Sequence, residues 1–181
     1  MKLSLLGEWL RWIRSNSSDD ACGDDSCQGR PFVPAKRLCE RDNIIIDMLN
    51  SQGHSDVSFC VTDPHLPDNP VIYINGGFTK LTGYEHEEVE GRNCRFLQGE
   101  ETSERDRQYI SEAMKRRDCS VNLVNYKKDG TKFVNEFYLT QLKTPKNEVA
   151  YYIGIQVAVN KQGPGQMPSN PGWIYTLGNH V

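Results

Sequence analysis

Three long runs of alternating side chains near the end of the chain most constrain its fold. They occupy residues 119–127, 131–142 and 149–159, and the turn-forming stretches KKDG (127–130) and TPKNE (144–148) separate them. Glycine, asparagine and aspartate in such short gaps are typical of hairpin connections. The pattern therefore predicts three consecutive antiparallel strands.

Two shorter strands are predicted upstream, over 57–63 and 71–75, with the proline-punctuated turn PHLPDNP between them. Residues 76–118 then carry several helical segments, and Thr102 or Ser103 can cap the last of them. Two strands, several helices and three strands in this order predict an α+β fold. In it, a five-stranded antiparallel sheet carries the helices on one face.

The N-terminal region predicts a helical extension. Large apolar residues recur at helical spacing within 2–14, which is typical of an amphipathic helix. We expect its apolar stripe to cover a domain surface or a dimer partner. The alternative is a helix on a membrane surface, with Lys2, Arg11 and Arg14 at the lipid headgroups. Residues 15–36 are polar and acidic, as in a flexible linker.

The remaining segments complete the predicted organisation. Residues 37–51 have the apolar spacing of a second helix, and residues 160–181 are rich in glycine and proline without a helical period. The predicted parts are the amphipathic helix and linker over 1–36, a flanking helix over 37–56, a domain over 57–159 and an irregular tail over 160–181.

Composition excludes several classes of function. The net charge of the 181 residues is −3, so no clustered basic surface for nucleic acid is expected. No apolar run approaches the roughly 20 residues needed to span a bilayer. The six cysteines and four histidines lack the paired spacing of a zinc site, and no metal is predicted. We expect reduced thiols in a cytoplasmic protein.

Three carboxamides interrupt apolar faces on the three long strands: Asn125, Asn135 and Gln156. A buried amide without a partner costs roughly 1–3 kcal/mol, so converging amides predict a polar ligand. Such a set suits the polar edge of a planar heteroaromatic ring, with Phe137 and Leu139 against its faces. The alternative is that each amide simply faces solvent.

The stretch GRNCRFLQG (91–99) places Cys94 between an amide and a guanidinium. A single cysteine is most often a small buried hydrophobic residue. A nucleophilic enzyme cysteine is another possibility, but no histidine lies near Cys94 in the sequence to act as its base. No enzymatic activity is predicted.

With these features in place, residues 57–157 resemble the light-oxygen-voltage (LOV) domains of phototropins and related blue-light receptors. These domains are the flavin-binding branch of the PAS fold. The stretches that carry the resemblance are, in order, VTDPHLPDNPVIYIN, FTKLTGY, GRNCRFLQG, NYKKDGTKFVNEFYL and YYIGIQ.

The resemblance implies bound FMN and a reversible photochemical reaction. Cys94 matches the photoactive cysteine, whose sulfur bonds to the flavin C4a carbon after blue light. Asn93 and Gln98 match residues around the ribityl chain. Arg95 matches a guanidinium that pairs with the phosphate, a geometry that arginine suits.

The strand residues match the ring site of the family. Asn125, Asn135 and Gln156 match the amides on the pyrimidine edge of the flavin, and Phe137 and Leu139 match part of its apolar enclosure. Gln156 is similar to the glutamine that reorients when the flavin N5 atom is protonated. The resemblance thus implies a blue-light photoreceptor; the alternative is a PAS-type flavin or small-ligand redox sensor without photochemistry.

Two departures of the sequence from the family bear on its function. Ser111 stands where many relatives have a second phosphate-binding arginine, and Arg107, one helical turn earlier, is predicted to substitute with a weaker hold on the phosphate. Residues 160–181 show no counterpart of the C-terminal signalling helix of phototropins. We therefore expect output through the N-terminal helices and the sheet surface, as a homodimer or with a partner protein.

Overall fold

The computed structural model describes residues 30–51, 57–116 and 119–159. The helix predicted over 2–14 and the tail predicted over 160–181 lie outside these residues. Of the linker predicted over 15–36, only residues 30–36 are among them.

Five strands form one antiparallel sheet, and the predicted α+β fold is confirmed. The strands are β1 (Ser58–Thr62), β2 (Val71–Ile74), β3 (Cys119–Tyr126), β4 (Lys132–Lys143) and β5 (Val149–Val159). Their order in the sheet is β2-β1-β5-β4-β3. Strands β3, β4 and β5 follow one another as hairpins, whereas β1 pairs with β5 across almost the whole domain sequence.

The helices between β2 and β3 gather on one face of the sheet. In chain order the helical elements are α1 (Glu40–Asn50), α2 (Gly76–Thr82), α3 (His86–Val89), a 3₁₀ turn (Cys94–Leu97) and α4 (Glu104–Arg116). Helix α2 packs against β1, and α4 packs against β3 and β4. We call the face that carries Cys60, Gly154 and Gln156 the inner face, and the opposite one the outer face.

Helix α2 begins at an asparagine that also holds the sheet edge. The Oδ1 atom of Asn75 accepts hydrogen bonds from Phe78 N at 3.0 Å, as an N-cap, and from Phe59 N at 2.9 Å on β1. The helix ends at Gly83, whose φ of +77° is the left-handed conformation that glycine adopts without strain. The connection from β2 into the helical layer is thus fixed at both ends.

Helix α4 begins where the sequence predicts a cap. The Oγ atom of Ser103 accepts a hydrogen bond from Asp106 N at 3.3 Å, so Ser103 is the cap. Thr102, the other candidate, donates its hydroxyl to the carbonyl of Val124 on β3. The start of α4 is therefore tied to the edge of the sheet, which fixes one wall of the space beneath it.

The outer face is covered by the segment that precedes and forms α1. The ring of Phe32 lies 5.2 Å from that of Tyr73 and 5.7 Å from that of Tyr151. Lys36 N donates to the Tyr151 hydroxyl at 2.9 Å, and Asn50 Oδ1 accepts from Phe32 N at 3.0 Å. The flanking helix predicted over 37–51 is thus present as α1, and its segment packs on the sheet.

None of the helices in the described ranges could cross a membrane by length and apolarity. The longest of them, α4, has 13 residues. At 1.5 Å per residue it extends about 20 Å, whereas the hydrocarbon core of a bilayer is about 30 Å thick.

A buried carboxylate joins α1 to the sheet. Asp42 is 0% exposed, and its Oδ2 accepts a hydrogen bond from Lys143 N at 2.6 Å while its Oδ1 accepts from Arg41 Nε at 2.7 Å. Cys39 N also donates to the carbonyl of Lys143, at 2.8 Å. The first turn of α1 is therefore bonded to the end of β4.

We expect Asp42→Ala to lower the free energy of unfolding by about 1–3 kcal/mol, because the half-buried Lys143 N–H loses its carboxylate acceptor. Urea denaturation followed by circular dichroism measures the change. Asp47→Ala is the matched control: Asp47 lies on the same helix but is exposed, so its effect should stay within about 0.5 kcal/mol. Equal losses in the two variants would contradict this role of Asp42.

Candidate functional site

A cleft lies between the inner face of the sheet, the 3₁₀ turn and α4. It contains about 670 Å³, counted with the part that opens to solvent. The structure brings together along it all but one of the residues that the sequence predicts for a binding site. The lining residues from that set are Asn93, Cys94, Arg95, Gln98, Asn125, Asn135, Phe137, Leu139 and Gln156.

The amides of β3 and β4 are buried in the cleft and not solvated. Asn125 is 3% and Asn135 is 1% exposed, which excludes the interpretation that they face solvent. Asn135 Nδ2 donates to Asn125 Oδ1 at 2.8 Å. Asn135 Oδ1 is buried and has no hydrogen-bond partner among the described residues. An unpaired buried acceptor costs roughly 1–3 kcal/mol, so this atom points to a ligand that donates a hydrogen bond.

The third amide, Gln156, is bonded to β1. It is 3% exposed, and its Oε1 accepts a hydrogen bond from Ser58 Oγ at 3.0 Å. Its Nε2 lies 3.4 Å from Cys60 Sγ, to which it donates. These contacts follow from the strand register, which places Ser58 opposite Gln156. Gln156 thus joins the cleft to β1.

Cys94 begins the 3₁₀ turn with its thiol directed at the sheet. Asn93 caps the turn, because its Oδ1 accepts a hydrogen bond from Arg95 N at 3.0 Å. Cys94 Sγ lies 3.5 Å from Cys60 Sγ. The hydrogen bond with Cys60 and burial raise the pKa of the Cys94 thiol well above its ordinary value. The thiol is therefore protonated at neutral pH.

A protonated Cys94 does not suit a hydrolytic enzyme, in which the thiolate is the nucleophile. The described residues along the cleft also include no histidine that could act as a base. The described cleft thus supplies no histidine base for the nucleophilic-enzyme interpretation of the stretch GRNCRFLQG.

Arg95 lies at the mouth of the cleft and is paired with Asp68. Arg95 Nη1 is 2.6 Å from Asp68 Oδ2, and both side chains are exposed. The hydrogen bond from Arg95 holds the pKa of the Asp68 carboxyl below its ordinary value. Asn93 Nδ2 donates to the backbone carbonyl of Asp68 at 2.6 Å. The loop between β1 and β2 therefore closes over the 3₁₀ turn.

The same loop adds a residue that the sequence analysis missed. Asn69 follows Asp68, and both have left-handed backbones, with φ of 48° and 65°. The Oδ1 atom of Asn69 is buried along the cleft without a partner among the described residues. The stretch PHLPDNP is recognisable only as a turn from its prolines, so nothing in the sequence alone indicates where this amide points.

Arg107 differs from the prediction, because it does not line the cleft. Its Nη2 donates to the carbonyl of Gly99 at 2.8 Å, and its Nη1 lies 3.8 Å from Glu104. Ser111, one turn further along α4, is exposed. In this structure the Arg107 guanidinium thus supports the backbone just after Gln98 and is not directed into the cleft.

Strand β1 supplies two more lining residues that the sequence analysis missed, Cys60 and Thr62. Their alternation along the strand places them on one face, which is the signal that could have found them. On β5, a Cβ at Gly154 would lie 2.7 Å from Phe137 Cε2 and 3.4 Å from Cys60 Sγ. The absence of a side chain at Gly154 therefore allows Phe137 to pack against the backbone.

The lining as a whole suits a flat heteroaromatic group with an anionic extension. Unpaired amide oxygens of Asn69 and Asn135 can accept hydrogen bonds. Apolar side chains from β3, β4, the 3₁₀ turn and α4 form its walls; they are Leu97, Ile110, Met114, Leu123, Phe137 and Leu139. Apolar walls with a few convergent polar atoms are typical of cofactor sites. Arg95 adds a positive charge at the mouth.

Comparisons with known proteins agree with this geometry. A family model described as the PAS domain matches residues 56–159. Phototropin-2 of Oryza sativa subsp. japonica is 42% identical over 113 residues, which are 62% of this chain and 12% of phototropin-2. A blue-light photoreceptor of Listeria monocytogenes is 38% identical over 126 residues, 69% of this chain and 48% of that protein. The chain thus spans less than half of either relative.

A solved structure extends the comparison to the fold. The light-state structure of the LOV domain of the blue-light photoreceptor Aureochrome1 is 40% identical, with a TM-score of 0.56. The match covers 67% of this chain and 88% of that domain. Together with the PAS match, this near-complete coverage of a LOV domain shows that the chain belongs to the PAS domain family, in its light-oxygen-voltage branch.

Proposed function

We propose that this protein is a blue-light photoreceptor that binds FMN in the cleft and forms a reversible bond between Cys94 Sγ and the flavin C4a carbon on illumination. The observation that carries the proposal is the position of the Cys94 thiol, in the same cleft as three buried amides. Its membership of the LOV branch and its blue-light relatives support the same function.

The strand amides recognise the polar edge of the flavin ring. Asn135 Oδ1 is free to accept a hydrogen bond from the ligand, and Asn125 is held in place by its bond to Asn135. Phe137 and Leu139 pack on the ring and exclude water from it. This division of roles uses a few oriented polar atoms for specificity and apolar area for affinity.

Arg95 holds the phosphate that distinguishes FMN from riboflavin. Its guanidinium carries five N–H donors, of which the structure shows one on Asp68 through Nη1, so donors remain for phosphate oxygens. Asn93 and Gln98, on either side of the 3₁₀ turn, line the cleft together with Arg95 and would contact the ribityl chain.

Cys94 keeps its proton until light is absorbed, because its pKa is raised by the hydrogen bond with Cys60 and by burial. The excited flavin supplies the driving force for the bond to sulfur. The protein residues hold the thiol in place, through the Asn93 cap and the contact with Cys60. With FMN bound, Gln156 would lie at the flavin edge, and a change in its hydrogen bonds there would alter its contacts with Ser58 and Cys60 on β1.

The central prediction concerns Cys94→Ala. We expect the purified variant to retain the yellow flavin and to lose reversible bleaching by blue light completely, because no sulfur remains to bond to the ring. Absorption spectra before and after a blue flash measure both properties. Cys39→Ala is the control, since Cys39 lies outside the cleft and should leave the bleaching intact.

Bleaching that survives in Cys94→Ala would contradict the role of Cys94. A wild-type protein that binds flavin but never bleaches would instead favour the alternative, a PAS-type flavin or small-ligand redox sensor without photochemistry. The same spectra therefore separate the two functions.

A second prediction compares arginines at the phosphate end. We expect Arg95→Ala to lower the affinity for FMN relative to riboflavin by about tenfold or more, as for the loss of a charged hydrogen bond. Arg107→Ala should lower the ratio by a smaller factor, because its guanidinium is bonded to Gly99 and supports the backbone beside Gln98. Titration of the apoprotein with each flavin measures the ratio.

Arg105→Ala is the matched control for this comparison, since Arg105 is exposed on the same helix. It corrects for the general loss of positive charge. If the ratio of the affinities for FMN and riboflavin were equal in Arg107→Ala and Arg105→Ala, Arg107 would have no role in phosphate binding.

The output of the receptor is proposed to pass through the sheet to its N-terminal segment, as a homodimer or with a partner protein. Gln156 contacts β1, where Phe59 alternates to the outer face and packs 5.6 Å from the ring of Tyr73. Tyr73 in turn packs on Phe32, at the start of the segment that leads into α1. A change at Gln156 can thus reach Phe32 through the backbone of β1 and two packed side chains, those of Phe59 and Tyr73.

We expect blue light to change the association state of the wild-type protein, because rearrangement at Gln156 loosens the segment around Phe32 from the outer face. Size-exclusion chromatography with light scattering, in darkness and under illumination, measures this change. Gln156→Leu should bleach but show no change in association, and Cys94→Ala should show neither response. Identical dark and light profiles of the wild-type protein would contradict this output.

A further inference from the structure

Two thiols face each other inside the cleft. Cys60 lies on β1 and is 1% exposed, whereas Cys94 begins the 3₁₀ turn and is partly exposed. Their sulfurs are 3.5 Å apart although 34 positions separate them in the chain. Both cysteines are free thiols in this structure. The proposed photochemistry forms a covalent bond only to Cys94, so the sulfur of Cys60 forms no bond in it.

We propose that Cys60 and Cys94 form a reversible disulfide under hydroperoxide oxidants, which removes the Cys94 thiol from the light reaction until a reductant restores it. The receptor then responds to blue light only in reducing conditions. The light-dependent part of this inference rests on the proposed function, whereas the disulfide itself does not.

The geometry permits the bond with a small movement. A disulfide joins its sulfurs at about 2.05 Å, so the present sulfurs must approach by about 1.5 Å. Rotation of the Cys94 side chain can supply such a shift. No side chain is present at Gly154, which faces Cys60 in the strand register, to restrict Cys60 from that side.

The reaction balances with one hydroperoxide. The sulfur of Cys60, which lines the cleft and has the lowered pKa, attacks the terminal peroxide oxygen; the O–O bond breaks, a sulfenic acid forms, and water or an alcohol leaves with the Cys60 proton. The sulfur of Cys94 then attacks the sulfenic sulfur. The S–S bond forms as the S–O bond breaks, and the released hydroxide leaves as water with the Cys94 proton. Two thiols lose two electrons and two protons in total.

Two features of the cleft bear on the first step. Gln156 Nε2 donates a hydrogen bond to Cys60 Sγ, which stabilises the thiolate that must attack. The hydrogen bond from Cys94 lowers the pKa of the Cys60 thiol, although burial acts in the opposite direction. Cys60 is therefore suited to react first with the hydroperoxide, and Cys94 lies 3.5 Å away to resolve the sulfenic acid.

The experiment uses the FMN-loaded wild-type protein, reduced and kept in darkness. After exposure to hydrogen peroxide, free thiols are alkylated and the protein is digested with trypsin without reduction. Mass spectrometry should find the peptide 93–95, which contains Cys94, linked to the peptide 42–80, which contains Cys60. The bleaching amplitude should fall in proportion to this linked peptide and return after dithiothreitol.

Matched variants separate a disulfide from other oxidation. Cys39→Ser should behave as the wild type, because Cys39 lies outside the cleft. In Cys60→Val, peroxide should cause no loss of bleaching that dithiothreitol restores. The bleaching amplitude of each sample is compared with its own amplitude before peroxide. An equal, dithiothreitol-reversible loss in Cys60→Val, or a loss without the linked peptide in the wild type, would overturn the proposal.

The two hypotheses fail in distinguishable ways. If the reduced protein binds flavin without bleaching, the proposed photochemistry is wrong, while the linked peptide still decides whether the dithiol exists. If the reduced protein bleaches but peroxide yields no linked peptide, the dithiol inference alone is wrong. Peptide mapping of the wild type decides whether the disulfide between Cys60 and Cys94 forms, even if Cys60→Val does not fold.

Discussion

The pairing of β1 with β5 is the contact on which the site depends. It places Ser58 opposite Gln156 and Cys60 opposite Gly154, although each pair is separated by more than ninety positions in the chain. A slip of β1 by one residue would turn Ser58 and Cys60 to the outer face, since side chains alternate along a strand. This register therefore brings the second thiol into the cleft beside the third amide, whose strand also pairs with β4.

The same pairing gives the sheet two chemically different faces. The inner face presents amides and thiols to a cleft in which at least one amide oxygen lacks a partner among the described residues, a cost that a ligand can offset. The outer face is aromatic, with Tyr73 and Tyr151 packed against Phe32. Only a single layer of backbone thus separates a ligand-dependent change on the inner face from the outer face. The segment on the outer face is held there by packing and a few hydrogen bonds.

The sequence alone predicted the strands well because alternation and hairpin turns are local signals. It also predicted the burial of Asn125 and Asn135, since each interrupts an otherwise apolar face. It missed Cys60 and Asn69, whose roles depend on a long-range strand pairing and on a loop conformation with positive φ. Helical spacing predicted the side of α4 on which Arg107 lies. It could not predict that the guanidinium donates to the carbonyl of Gly99.

In the two proposals, the contact between the thiols links the light reaction to redox chemistry. A thiol beside an excited flavin must keep its proton in the dark, and the hydrogen bond with Cys60 contributes to that by raising the pKa of Cys94. An apolar residue in place of Cys60 would also bury Cys94 but would provide no second sulfur. With Cys60 at 3.5 Å, the interaction that keeps Cys94 protonated also places an oxidisable partner within reach of it. Illumination would bond the Cys94 sulfur to the flavin instead, so light and oxidation compete for the same atom.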